Sequence, residues 1–132
     1  MSAISNSLEN QLLNALLDAQ PYPTHSTVYL ALFGPNHNLE SDSFADEVTG
    51  TGYARQIVNF GTADGGQITN SQTITFDVNS NWSAVRATAI VTSSGGVNGD
   101  GNILFWTTVN LLYPQSGVDL VINPGELKVR LN

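Results

Sequence analysis

His25 and His37 are the two side chains of this 132-residue chain that most readily exchange protons near neutral pH. Both lie in predicted loops, and the sequence has no Gly-x-Ser-x-Gly motif that would present a serine nucleophile to either of them. Their spacing also differs from the His-x-x-x-His pattern of a helical zinc site. We therefore predict two surface histidines and no catalytic residue.

Oxygen-bearing side chains alternate over residues 98–102 in a way that resembles the start of a calcium-binding loop. If that loop began at Asn98, Ile103 would stand where a glycine belongs and Val109 where a bidentate glutamate belongs. A tight turn is the better interpretation. The acidic residues between positions 40 and 47 have no fixed geometry, and no glycine-rich phosphate loop precedes a helix. We predict neither a metal ion nor a cofactor.

A glycosidase would need two carboxylates facing each other across a cleft. Asp77, Asp119 and Glu126 are instead predicted on polar strand faces or turn edges. Four aromatic residues are able to stack on sugars, although tyrosine and tryptophan are equally favoured in β-sandwich cores and protein interfaces. These four are Tyr29, Tyr53, Trp82 and Trp106. We interpret them as core or interface residues and predict that the protein is not an enzyme.

Charge is sparse and negative in this chain. The net charge is −7, only 11% of the residues are charged, and the four basic residues are scattered. Nucleic acids and anionic membranes are bound by converging cations, so we expect neither partner. The absence of cysteine excludes disulfides, thiolate metal sites and cysteine nucleophiles.

Residues 47–60 combine a glycine-punctuated loop with a strand predicted over residues 53–60. Gly50 and Gly52 permit a positive φ and a close backbone approach, so they can deliver Tyr53 at a fixed angle into a core or an interface. Neither face of the strand is purely polar, which predicts a central position in a sheet. Arg55 is expected to pair with a carboxylate on a partner protein or a neighbouring subunit, or with Glu47 of its own chain, and we favour the pair with Glu47.

One helix is predicted over residues 4–19, because five leucines recur along one face before prolines at positions 21 and 23 stop it. Ser5 or Asn6 can cap its start. A face this apolar must cover an open end of a sheet or insert between subunits.

The first predicted strand, residues 27–33, is apolar on both faces, which predicts a central strand covered by a second sheet on one side and by the helix or a neighbouring subunit on the other. Residues 34–52 form a long loop, interpreted either as an arm to a partner or as a solvated acidic connector. Further strands are predicted at residues 73–78, 85–92, 102–109, 118–122 and 126–131, the last two forming a hairpin.

One helix and seven strands separated by turn signals predict an all-β fold: an antiparallel β-sandwich, jelly-roll-like, with one N-terminal α-helix. We expect a single domain over residues 1–132, with the helix in residues 1–20 and the long loop at residues 34–52.

Four segments in this order resemble a family of small virion proteins of tailed bacteriophages, which include tail-fibre-like and head-decoration proteins. The segments are Leu8-Glu-Asn-Gln-Leu-Leu-Asn-Ala-Leu-Leu17, Val28-Tyr-Leu-Ala-Leu-Phe33, Glu47-Val-x-Gly-x-Gly-Tyr-Ala-Arg55, and Asn70-Ser-x-x-Ile-Thr-Phe76 followed by Trp82. The resemblance covers nearly the whole chain. It implies a non-enzymatic structural protein of the virion, made in the host cytoplasm.

Two functions are compatible with this resemblance. We favour a capsid cement or decoration protein that binds the phage major capsid protein or other virion proteins, because the chain lacks the coiled coil, repeated shaft and separate anchor of many fibres. The alternative is a tail-fibre-like receptor-binding module. A receptor-binding module should present a pocket or an aromatic platform on exposed loops, whereas a cement protein should present extended arms.

The apolar helix and the apolar strand faces also predict self-association, as a homotrimer. The predicted interface residues are Asp46, Glu47, Tyr53, Arg55, Tyr29, Leu13 and Leu17.

Overall fold

The structure is a computed structural model that describes residues 3–22 and 24–131, and most of its regular structure is antiparallel β. Its helix α1 spans Asn6–Leu17, and a short 3-10 helix spans Gly96–Asn98. The strands are β1 (Ala3–Ile4), β2 (Val28–Phe33), β3 (Gln56–Val58), β4 (Gln67–Thr69), β5 (Ile74–Phe76), β6 (Val85–Val91), β7 (Ile103–Leu112), β8 (Leu120–Ile122) and β9 (Lys128–Arg130). The prediction of an all-β fold with one N-terminal helix is confirmed at this level.

Five strands form the main sheet, in the order β1-β7-β6-β2-β3, and the other four form two two-stranded sheets, β4-β9 and β5-β8. One face of the main sheet packs with the two small sheets in a shared hydrophobic cluster, which includes Leu30, Leu32 and Ile90 from the main sheet and Phe76 and Val129 from the small ones. This strand pairing does not establish the jelly-roll topology, which stays a prediction.

The opposite face of the main sheet is covered by the chain's own long loop. Phe33 and Ala89 pack there with Leu39 and Phe44, which come from residues 34–52. The central position predicted for β2 is confirmed, since it pairs with both β3 and β6. The cover predicted for its second face, the helix or a neighbouring subunit, is wrong, because the loop carries apolar side chains of its own.

Helix α1 begins later than predicted, because Ala3 and Ile4 pair with β7 as strand β1. Ser5 is the N-cap, and its hydroxyl oxygen accepts a hydrogen bond from the N–H of Leu8 at 3.3 Å. The same hydroxyl donates to the carbonyl of Ile103, which fixes the start of the helix to β7. The helix ends at Leu17, two residues before the predicted end.

The five leucines of α1 do not share one environment. Leu8 is buried and Leu12 is half-buried against the first cluster, whereas Leu13, Leu16 and Leu17 are 55%, 77% and 82% exposed. We call these three residues the α1 leucine face. The N-terminal half of the helix therefore covers the β structure, and its C-terminal half leaves apolar surface in water.

The predicted hairpin of residues 118–122 and 126–131 is wrong, although both strands exist. β8 pairs with β5, and β9 pairs with β4, a strand that the sequence interpretation had missed. The buried side chain of Asn70 bonds to both sides of the turn between them, donating to the carbonyl of Asn123 at 3.1 Å and accepting from the N–H of Leu127 at 3.0 Å.

The strand predicted at residues 53–60 is reduced to β3, and it lies at an edge of the main sheet instead of its centre. The contacts of its neighbour β2 account for the shortening. The N–H of Leu32 donates to the hydroxyl oxygen of Tyr53 at 3.0 Å, and the Leu32 carbonyl accepts from the N–H of Val48 at 2.9 Å. Side-chain and loop groups thus occupy the β2 edge where β3 would have continued.

Candidate functional site

Arg55 is the centre of a buried polar cluster. Its side chain is only 3% exposed and forms a two-point pair with Glu47, with Nε donating to Oε2 and Nη2 to Oε1, both at 2.8 Å. Nη1 donates to the carbonyl oxygens of Ser93 and Asp100, each at 2.8 Å. We call Arg55 with these three partners the Arg55 clamp. The favoured pairing of Arg55 with Glu47 in its own chain is confirmed.

The clamp joins two loops to Arg55, the residue that directly precedes β3. Glu47 belongs to the 34–52 loop, while Ser93 and Asp100 belong to the loop between β6 and β7. The guanidinium carbon also lies 4.9 Å from the ring centroid of Phe44. The hydrogen bonds to Glu47 raise the pKa of Arg55 above its ordinary value. The cation is permanently charged, and Nε, Nη1 and Nη2 all bond within the chain.

Tyr53 extends the clamp into the core. Its hydroxyl donates to Oε2 of Glu47 at 2.8 Å, and its ring packs edge-on to Trp82 with centroids 5.4 Å apart. Burial, reinforced by the negative charge of Glu47, raises the pKa of Tyr53 well above its usual range. Tyr53 is therefore a neutral donor at neutral pH.

The two glycines of the 47–55 segment do what the sequence predicts. Gly50 has φ 151° and Gly52 has φ 85°. A Cβ at Gly50 would lie 2.3 Å from Cδ1 of Trp82, and one at Gly52 would lie 2.2 Å from Oδ1 of Asn79. Only glycine lets the backbone pass this close and bring Tyr53 against Trp82.

The predicted interface residues are found in three environments. Arg55, Glu47 and Tyr53 form the interior cluster described above. Asp46 is exposed but closes its own loop, because its Oδ2 accepts from the N–H of Asn36 at 2.6 Å. Leu13 and Leu17 belong to the exposed α1 leucine face, and Tyr29 is half-buried and lines a cleft. Their contact with a partner stays a prediction.

That cleft, here called the outer cleft, has a volume of about 480 Å³. One wall is the segment before β2 and the other is the loop that follows β6. Its lining residues are Thr24, His25, Ser26, Thr27, Tyr29, Thr92, Ser93, Ser94 and Asn98. Apart from Tyr29, sequence reasoning missed this site, and the signal that could have found it is the hydroxyl-rich run at residues 24–27 beside a tyrosine.

The histidines have different surroundings. His25 is exposed, as predicted. His37 is half-buried, with its ring centroid 5.4 Å from that of Trp106, so the prediction of a surface residue is wrong there. Within residues 3–22 and 24–131, no group of three or more histidine, cysteine, aspartate or glutamate residues could hold a metal ion. No helix in that part of the chain is long and apolar enough to cross a membrane.

A comparison with protein families places the chain among structural proteins of phage virions. Residues 3–130 match the family Gp80, described as podophage GP4 fiber I protein gp80, and the chain belongs to that family. The resemblance to small phage virion proteins is thereby confirmed. A search of curated proteins gave no match.

Proposed function

We propose that this protein is a fibre subunit of the phage virion, that it self-associates through the α1 leucine face, and that it presents the outer cleft toward the host surface. The description of its family names a fibre protein, which supports this alternative over the capsid cement that the sequence favoured.

The packing of the 34–52 loop is the observation that carries the proposal. A cement protein was expected to present extended arms, but this loop lies on its own sheet with Leu39 1% and Val48 3% exposed. Glu47, which was one of the predicted interface residues, is bonded to Arg55 of its own chain. A fibre module was expected to present a pocket or an aromatic platform on loops, and Tyr29 lies in such a cleft.

Apolar surface left in water supports the proposed self-association. Leu13, Leu16 and Leu17 together expose the equivalent of about two complete leucine side chains. Burying them against another copy would stabilise the assembly by about 4 kcal/mol per subunit. In a closed ring, every subunit buries this surface. The second copy is the natural occupant, because each copy brings an identical apolar face. We propose a homotrimer.

The location of the protein in the virion tests the fibre assignment. Gold-labelled antibodies against the protein should mark fibres on intact particles, and mass spectrometry should find a small number of copies relative to the major capsid protein. Label distributed over the head, with hundreds of copies per particle, would assign the protein to the capsid and restore the cement function.

A further inference from the structure

The outer cleft has an unusual distribution of hydrogen-bonding groups. On one wall, Thr24, Ser26 and Thr27 are exposed and Tyr29 is half-buried. Within the described residues, the four side-chain hydroxyls of this wall make no hydrogen bond. A row of unpaired hydroxyls along a concave surface is free to bond to water or to a ligand.

The opposite wall is already bonded within itself. The hydroxyl of Ser93 donates to the carbonyl of Gly99 at 2.7 Å, and Nδ2 of Asn98 donates to the hydroxyl oxygen of Ser94 at 2.7 Å. The Arg55 clamp holds the base of the same loop through the carbonyls of Ser93 and Asp100. A ligand would therefore meet a preformed wall and would not have to order it.

The cleft also lacks fixed charge. Among the described lining residues there is no aspartate, glutamate, lysine or arginine, although His25 is one of them, and the Arg55 cation is enclosed by Glu47. The chain as a whole carries a net charge of −7, which repels anions. An anionic ligand would meet no permanent cation among the described lining residues, and an apolar ligand would leave the hydroxyls unpaired.

From these observations we infer that the outer cleft binds a neutral saccharide, with the ring of Tyr29 packing against a sugar face and the hydroxyls of residues 24–27 bonding to sugar hydroxyls. Aromatic rings combined with uncharged donors and acceptors match the two kinds of surface that a neutral sugar presents. This inference rests on the proposed function, in which the cleft faces the host, and it names the class of ligand. Three or four hydrogen bonds give a dissociation constant on the order of 1 mM for one site, which several copies in a fibre would strengthen by avidity.

The test uses the full chain on an array that carries neutral hexose and N-acetylhexosamine oligosaccharides beside sulfated and uronate-containing ones. The neutral oligosaccharide that gives the strongest signal is then titrated against 15N-labelled protein by NMR. We expect binding to neutral oligosaccharides alone, with chemical shift changes concentrated in residues 24–29 and 92–98.

Two variants examine the site, and a third is the matched control. Thr24→Ala/Ser26→Ala/Thr27→Ala removes three hydroxyls from exposed positions, and Tyr29→Leu removes the aromatic face while keeping an apolar side chain. Each should weaken binding at least tenfold. Thr73→Ala/Thr75→Ala removes exposed hydroxyls outside the cleft and should change the affinity less than twofold.

Absence of binding to every neutral oligosaccharide at millimolar concentration would overturn the inference. So would binding confined to anionic oligosaccharides, or equal binding by the cleft variants and the control. Gold labelling on fibres together with any of these results would leave the proposed function standing and remove only the saccharide site.

Discussion

The Arg55 clamp and the α1 leucine face treat their side chains in opposite ways. In the clamp, the charged side chain of Arg55, a residue type usually found in water, is buried and only 3% exposed. The leucine face takes an apolar residue type and leaves it 55% to 82% exposed. The difference separates two tasks: buried charge positions the loops of one chain, and exposed leucines are available to another chain.

Among the substitutions that test this comparison, loss of the Arg55 cation should lower the stability of the fold most. Arg55→Met leaves Glu47 without its partner in a largely buried site, so we expect the free energy of unfolding to fall by about 3 kcal/mol or more. Urea denaturation followed by tryptophan fluorescence measures it, since Trp82 packs on Tyr53.

Arg130→Met is the matched control. Arg130 is exposed and bonds to Gln67, so its loss should change stability by less than about 0.5 kcal/mol. Addition of Glu47→Gln to Arg55→Met should recover part of the loss, because it removes the unpaired charge. Equal destabilisation by Arg55→Met and Arg130→Met would show that the clamp is not structural.

The hydroxyl of Tyr53 should have the next largest effect. Tyr53→Phe leaves the N–H of Leu32 without its acceptor and removes one donor from Glu47, which should cost about 1–2 kcal/mol. Tyr113→Phe, at a tyrosine that is 61% exposed, is the control and should be nearly neutral. Similar unfolding midpoints for the two variants would contradict the structural role of this hydroxyl.

The α1 leucine face should affect the stability of the isolated chain less. Leu13→Gln/Leu16→Gln/Leu17→Gln keeps good helix formers at exposed positions, so the change in stability measured at high dilution should be below about 1 kcal/mol. Circular dichroism should show an unchanged fold. A loss of several kcal/mol at high dilution would mean that these leucines pack within the chain.

Glu126 should have the smallest effect, visible only as a pH dependence. The N–H and the side-chain amide of Asn123 both donate to its carboxylate, at 3.0 and 3.1 Å, and these hydrogen bonds lower the pKa of Glu126. Because the pKa of Glu126 is lower in the folded chain than in the unfolded chain, its carboxylate stabilises the folded protein at pH values above the ordinary pKa of 4.5. This stabilisation is lost as the pH falls below that value and the carboxylate is protonated. The stability difference between the native chain and Glu126→Gln should therefore shrink from pH 7 to pH 3; a constant difference would contradict this.

Local chemistry made part of this fold predictable from the sequence. The positive φ of Gly50 and Gly52 is a property of glycine itself, and Arg55 pairs with Glu47 only eight positions away; each was predicted. The partners of β8 and β9 are distant in the sequence, as in the pairs Ile74 with Ile122 and Ile68 with Val129, and Asn70 bonds to groups 53 and 57 positions away. No local sequence pattern indicates such long-range contacts. Without knowledge of them, a proline-glycine turn between two apolar strands predicts a hairpin.

The environment of the helix was unpredictable for a related reason. Leucine spacing defines an apolar face, but it does not say how much of that face the sheet is wide enough to cover. The outer cleft was missed because its two walls come from segments more than 60 positions apart, such as Thr27 and Thr92.

The molar mass in solution tests the separation of tasks most directly. Light scattering after size-exclusion chromatography would compare the native chain, the leucine variant, Arg130→Met and Val97→Thr/Val118→Thr, the last altering exposed valines outside α1. We predict three times the 14.1 kDa of the chain for the native protein and for the two other variants, and 14.1 kDa for the leucine variant. A native protein that stays monomeric at micromolar concentration, or a leucine variant that keeps the native mass, would contradict the account.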